Sequence, residues 1–199
     1  MFNLNKLSPT ITNMIRMDHS HVMITFHQYE KDKPARVKKA LAETICDALE
    51  IHAQLEEEVF YPVMRQRDAG EPFIHKAEPE HDEMRRLIAE LRSTRGDDPK
   101  HDKLVMELMR DVMHHVADEE TTLLPHAEAK LSKEALSELG ARMNKRRLQL
   151  VGPKAGKLAK EHVVGFGGST AAVLVGLAGA LFAAKAFGPK KAWKSNPAA

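Results

Sequence analysis

Apolar residues recur every three or four positions across residues 8–149, and the strict alternation of a half-buried strand is missing there. The first periodic segment, 10–30, puts Ile11, Ile15, Val22, Met23 and Phe26 on one face, with His19 among them; KDKP closes it. A second opens after Pro34, a residue suited to a first helical turn, and runs to 67. Its stripe is Val37, Leu41, Ile45, Ala48, Val59 and Val63, and DAGEP breaks it. A third, 73–95, turns Ile74, Ala77, Met84, Ile88 and Leu91 inward and stops at RGDDP. A fourth, 99–130, aligns Leu104, Leu108, Val112 and Leu123, and a shorter helix is expected from the N-cap residue Ser132. Four long amphipathic helices on short connections predict an all-α fold, an antiparallel four-helix bundle.

Two polar interruptions of these stripes repeat. HAQLEEEVFYP at 52–62 and HVADEETTLLP at 115–125 share His-x-x-x-Glu-Glu and a later proline in the same register. Upstream of each stands an acid–His pair, Asp18-His19 and Glu80-His81, so the chain reads as two look-alike helical hairpins. Side chains four apart on a helix lie about 5–6 Å from each other on one face, within reach of one small volume. The apolar stripes take in His52 with Glu56, and His115 with Glu119. His114 falls beside the core face, and Glu57 and Glu120 are rotated away, as solvated residues or outer partners of the ligands.

Carboxylates left unpaired in a bundle core are costly, and a metal ion is the compensation this pattern offers. Imidazole and carboxylate together suit iron, manganese or zinc. With His19 and His81 the set reaches four histidines and two glutamates. That exceeds one tetrahedral ion and suits two ions about 3.5–4 Å apart, bridged by the glutamates. Polar core residues satisfied by hydrogen bonds alone would account for one such pair better than for two.

DH at 18–19, HAQLEE at 52–57, EH at 80–81 and HVADEE at 115–120 occur in order, and over about residues 10–130 the chain resembles the hemerythrin-like, or HHE cation-binding, family. The resemblance implies a hemerythrin-like bundle with metal ligands His19, His52, Glu56, His81, His115 and Glu119, Glu56 and Glu119 bridging a non-haem di-iron centre of two iron ions. Manganese and zinc stand behind iron. Oxygen-carrying hemerythrins have a second histidine one turn after the third-helix ligand; here Arg85 follows His81 and Met23 follows His19 at that spacing. The site therefore resembles the symmetric H…HxxxE…H…HxxxE subgroup, with a position left for oxygen, peroxide or nitric oxide chemistry, for iron or redox sensing, or for Tyr61 or an inorganic bridge. A peroxide-decomposing activity is one expectation; a non-catalytic metal store or a metal-stabilised interaction module is the alternative.

Composition changes this picture little. Aromatics are 5% and charged residues 29% of the 199 residues, which favours helix, and a net charge of +2 gives no reason to expect nucleic acid as a partner. Single Cys46 excludes an internal disulfide and reads as a packing residue. His75, His101, His126 and His162 read as surface histidines, Met14, Met17, Met23, Met84 and Met113 as core filling, and Pro62 and Pro125 as shaping helix ends. MFNLNKLSPT lacks the features of a signal peptide, so the domain is expected in the cytoplasm.

The bundle is expected over 8–148, followed by a basic linker at 149–162 and an apolar, Gly/Ala-rich segment with a basic end at 163–199. Residues 163–184 are 22 positions without a charge, long enough for a bilayer, which takes about 20. Small residues every four positions, from Gly168 to Ala184, add a stripe suited to helix association. The expectation is a helical tail that anchors the protein to a membrane, with packing on a partner, self-association or a flexible tail as the alternatives.

Overall fold

The computed structural model describes residues 8–165, and every regular element among them is helical. In chain order these are α1 (Ile11–His27), α2 (Ala35–Leu55), α3 (Tyr61–Asp68), α4 (Pro72–Ser93), α5 (Pro99–Asp118), α6 (Leu124–Lys130), α7 (Lys133–Val151) and α8 (Ala155–Gly165). A π-helical turn, π1 (Glu56–Phe60), runs α2 into α3, and a second, π2 (Glu119–Leu123), runs α5 into α6. Side-chain oxygens start three of the helices: Thr10 accepts from the Asn13 N–H, Asp98 from Lys100 and Ser132 from Ala135.

The buried apolar residues form two clusters, and their order along the chain gives the topology. One end holds Ile11 and Ile15 of α1, Leu55 of α2, Ile74 of α4 and Leu123 of π2. The other holds Val22 and Phe26, Ile45 and Leu49, Ile88 and Leu91, and Leu104 and Leu108. α1 and α4 pass from the first cluster to the second, and α2 and α5 pass the other way. This is the antiparallel bundle. Between the clusters lie His19, His52, Glu56, His81, His115 and Glu119, all buried.

The structure departs from the sequence expectation in several places. Pro62 and Pro125 do not end their helices; each follows a π turn and the helix continues. The extra residue in π1 shifts the buried face by one position, so Met64 is buried where Val63 was expected and Val63 is only half-buried. Met17 (65% exposed) and Met113 (49% exposed) are surface residues rather than core filling. His101 is fully buried, its Nδ1 2.8 Å from the Tyr29 hydroxyl, which donates to Asp102 at 2.6 Å.

Residues 149–162, expected as a linker, are helical: the end of α7, a 3-10 turn (Gly152–Lys154) and most of α8. α8 lies on α2, where Lys157 Nζ donates to Asp47 at 2.9 Å and Glu43 at 3.2 Å. Among the described residues no helix is long and apolar enough to cross a membrane. The apolar segment expected as an anchor lies, from Phe166 onward, outside the described residues.

Leu108 of α5 is fully enclosed at the second cluster. Leu108→Ala is expected to lower stability by about 2–5 kcal/mol, read from the midpoint of urea unfolding.

Candidate metal centre

The two π turns shape the polar layer. In each, an N–H reaches back five residues, Tyr61 to the Glu56 carbonyl and Leu124 to the Glu119 carbonyl. Pro62 and Pro125 come next and have no N–H to restore the tighter pattern. On a regular α-helix a residue five further on is rotated by about 140°, so Tyr61 would face away from Glu56. The wider turn brings it round. The Tyr61 hydroxyl lies 3.1 Å from Glu56 Oε2 and 2.8 Å from Glu119 Oε1, a single donor between two buried carboxylates.

The four histidines share one orientation. Their Nε2 atoms face inward: His19 at 3.2 Å from Glu119 Oε2, His52 at 3.2 Å and His81 at 3.4 Å from Glu56 Oε2, and His115 at 3.6 Å from Glu119 Oε2. Their Nδ1 atoms face outward toward a second ring of carboxylates. The Nδ1–H of His19 donates to Glu120, that of His81 to Glu57 and that of His115 to Glu80, each at 2.9 Å. His52 Nδ1 faces Asp18 at 3.6 Å, longer than a hydrogen bond. Proton-bearing Nδ1 atoms held outward leave Nε2 lone pairs converging on the centre, the arrangement that carboxylate–histidine pairs give metal sites.

Without a cation the layer is poorly satisfied. His19 Nε2, both ring nitrogens of His52, Glu56 Oε1 and Glu119 Oε2 are buried without a hydrogen-bond partner. His81 Nε2 and His115 Nε2 face one another at 3.2 Å with both Nδ1 protons already committed, so two lone pairs meet unless a cation or a further proton stands between them. His19, His52, His115 and Glu119 bring ligand atoms within 4.8 Å of one another, and so do Glu56, His81 and His115. All six sequence-derived candidates thus fall in the layer, and the donor set fits a metal.

Protons do part of a metal's work in this arrangement. Burial pushes the Glu56 carboxyl well up, reinforced by the charge of Glu119. Burial acts on Glu119 too, but His115 and His19 overcome it and hold Glu119 ionised. Burial pulls His19 down, yet Glu119 and Glu56 raise it to about 9. His52, with burial dominant, drops to about 4 and is neutral. Two carboxylates in one small volume do not both keep their charge.

Glu57 and Glu120, foreseen as outer partners or solvated residues, are the partners of His81 and His19. Asp18 and Glu80 stand out in the sequence only as neighbours of the histidines, and the structure aims them at His52 and His115. The hydroxyl bridge of Tyr61 had one signal, the proline after each motif, because that residue marks the turn that moves Tyr61 inward.

Tyr61→Phe leaves two buried carboxylates without their shared donor. The variant is expected to lose about 1–3 kcal/mol in urea unfolding in the presence of a chelator, and less once metal is added to occupy the carboxylate oxygens.

Comparison with known proteins agrees with this geometry. The Hemerythrin HHE cation binding domain matches residues 10–127, more than half of the chain. A structure of a hemerythrin HHE cation-binding domain-containing protein from Mycobacterium kansasii superposes with a TM-score of 0.65 at 22% identity, covering 83% of this chain and 98% of that one. The DNA nickase of Nostoc sp. strain PCC 7120 is 33% identical over 131 residues, which is 65% of this chain but only 37% of that relative's length. With two hairpins placing a buried His/Glu layer between apolar clusters, and with that match across the whole bundle, the chain belongs to the hemerythrin HHE cation-binding domain family.

Proposed function

We propose that the polar layer is a non-haem di-iron centre held by His19, His52, Glu56, His81, His115 and Glu119, and that it binds or reacts with oxygen, peroxide or nitric oxide. The observation that carries this is the convergence of four Nε2 atoms and two carboxylates, with three Nδ1–H groups fixed outward by Glu57, Glu80 and Glu120. Iron bound there would supply redox chemistry toward a small ligand.

The chain's own residues do the rest. Glu56 and Glu119 come from opposite hairpins and meet beneath one hydroxyl, so Tyr61 keeps a proton beside both carboxylates. Burial, reinforced by Glu56 and Glu119 beside it, pushes the Tyr61 phenol well above its ordinary value, so it stays a donor. Beside Asp18, His19, His52 and His115, the side chains of Val22, Leu49, Val112 and Val116 help enclose a cavity of about 10 Å³. That is room for one water-sized molecule, and the aliphatic wall suits a small, weakly polar ligand over a bulky or charged one.

Metal must displace the protons on His19 and Glu56. His19 is raised to about 9, so affinity for added metal is expected to climb as pH rises toward that value and then level off, with protons released on binding. Titrating chelator-treated protein with Mn²⁺ at several pH values checks the sign; an affinity that falls with rising pH overturns the charge assignment.

Metal analysis of protein from iron-replete cells is expected to give two irons per chain with visible absorption, and colourless protein without iron sinks the di-iron reading. Peroxide consumption that disappears in His115→Ala selects reaction, whereas an iron-loaded protein inert to peroxide, oxygen and nitric oxide selects the metal-store alternative.

A further inference from the structure

α7 lies beyond the matched domain and outside the four helices that carry the ligands, yet it reaches the polar layer. Arg147 donates through its two terminal guanidinium nitrogens to both oxygens of Asp18, each at 2.6 Å. Asp18 is the residue that faces His52 Nδ1, at 3.6 Å. With both Asp18 oxygens paired to the guanidinium, Arg147 fixes the orientation in which the carboxylate faces His52. A bidentate Arg–carboxylate pair fixes orientation as well as charge.

The pseudo-twofold partner of this arrangement lacks the arm. Its counterpart of Asp18, Glu80, accepts from His115 at 2.9 Å and is supported by Lys76 from its own helix, a largely exposed side chain 3.3 Å away. The two halves therefore differ in how this orienting carboxylate is held, locally in one and from α7 in the other.

α7 is seated in a fixed register. Met143 is fully buried in the first apolar cluster, and Gly140 passes so close to the start of α1 that a Cβ there would lie 2.0 Å from the Pro9 carbonyl oxygen. Gly140, Met143 and Arg147 lie at helical spacing on one face, so the close approach that needs glycine also aims the arginine.

Building on the metal reading above, we infer that Arg147 is a positioning residue for His52, acting through Asp18, and that seating of α7 and metal binding at His52 are linked. Linkage is reciprocal: what holds α7 in register strengthens binding at His52, and binding there holds α7. The neighbouring Arg146 supplies the contrast, since its exposed, solvent-screened pair with Glu58 holds α7 only weakly and touches no residue that orients a ligand.

Titration of chelator-treated protein with Co²⁺, followed by visible absorption, tests this. Wild type is expected to bind two ions. Arg147→Met is expected to weaken one of the two steps by about 10–100-fold, with Arg147→Lys recovering part of the loss and Arg146→Met leaving both steps unchanged. Gly140→Ala, which touches no polar partner of the site, is expected to weaken the same step by unseating α7. Hydrogen exchange gives a second readout: Co²⁺ is expected to slow exchange across α7 in wild type and not in Arg147→Met. Two wild-type steps with Arg147→Met no weaker than Arg146→Met, or equal slowing of α7 in both, overturns the linkage. Failure of wild type to bind two ions overturns the metal reading itself.

Discussion

A bundle core that encloses two carboxylates and four imidazoles must give each polar atom a partner, and the rest of this structure follows from that demand. Water would supply those partners at a surface, but here apolar clusters close the layer from both ends. Each histidine turns one nitrogen toward an outer acid, and the freed inner nitrogens converge with the glutamates. What remains unmatched at the centre, several buried oxygens and nitrogens with no donor or acceptor, is a cation's coordination shell in outline.

The repeated His-x-x-x-Glu-Glu motif supplies this economically because its two glutamates do different things. The first points inward with the histidine, and the second crosses to the other hairpin: Glu57 to His81 of α4, Glu120 to His19 of α1. Asp18 and Glu80 serve the motif histidine of their own hairpin. The halves are thus tied together through the site, and neither hairpin could orient its first histidine alone. Departures from the symmetry are informative for the same reason. Tyr61 has Leu124 as its counterpart after the second π turn, so one half alone brings a hydroxyl, and Arg147 reaches one half alone from α7.

Much of this was legible in the chain. The apolar period of three to four, Pro34, DAGEP and RGDDP placed the four helices, and residues 52, 56, 115 and 119 fell inside otherwise apolar stripes. The repeat separated His115 from its neighbour His114, which the structure leaves exposed. Other features escaped because they are not local. Periodicity with a constant step cannot show a π turn, so Val63 was favoured over Met64. A histidine such as His101 reads as surface until Tyr29 and Asp102 from other parts of the chain enclose it.

The division has one physical cause. Which face of a helix is buried depends on residues a few positions apart, and hydrophobic burial acts on each stripe whatever it meets, so the sequence by itself determined the four long helices, the bundle and the six inward-facing polar residues. Hydrogen bonds and ion pairs are short-ranged and directional. Most partners of those six lie on other helices, 101 positions separating His19 from Glu120 and 35 separating His115 from Glu80, and the residue behind Asp18, Arg147, is 129 positions away. Only the packing of α7 on α1 and of one hairpin against the other decided who meets whom, and with it the hydroxyl over the two glutamates and the α7 arginine behind His52.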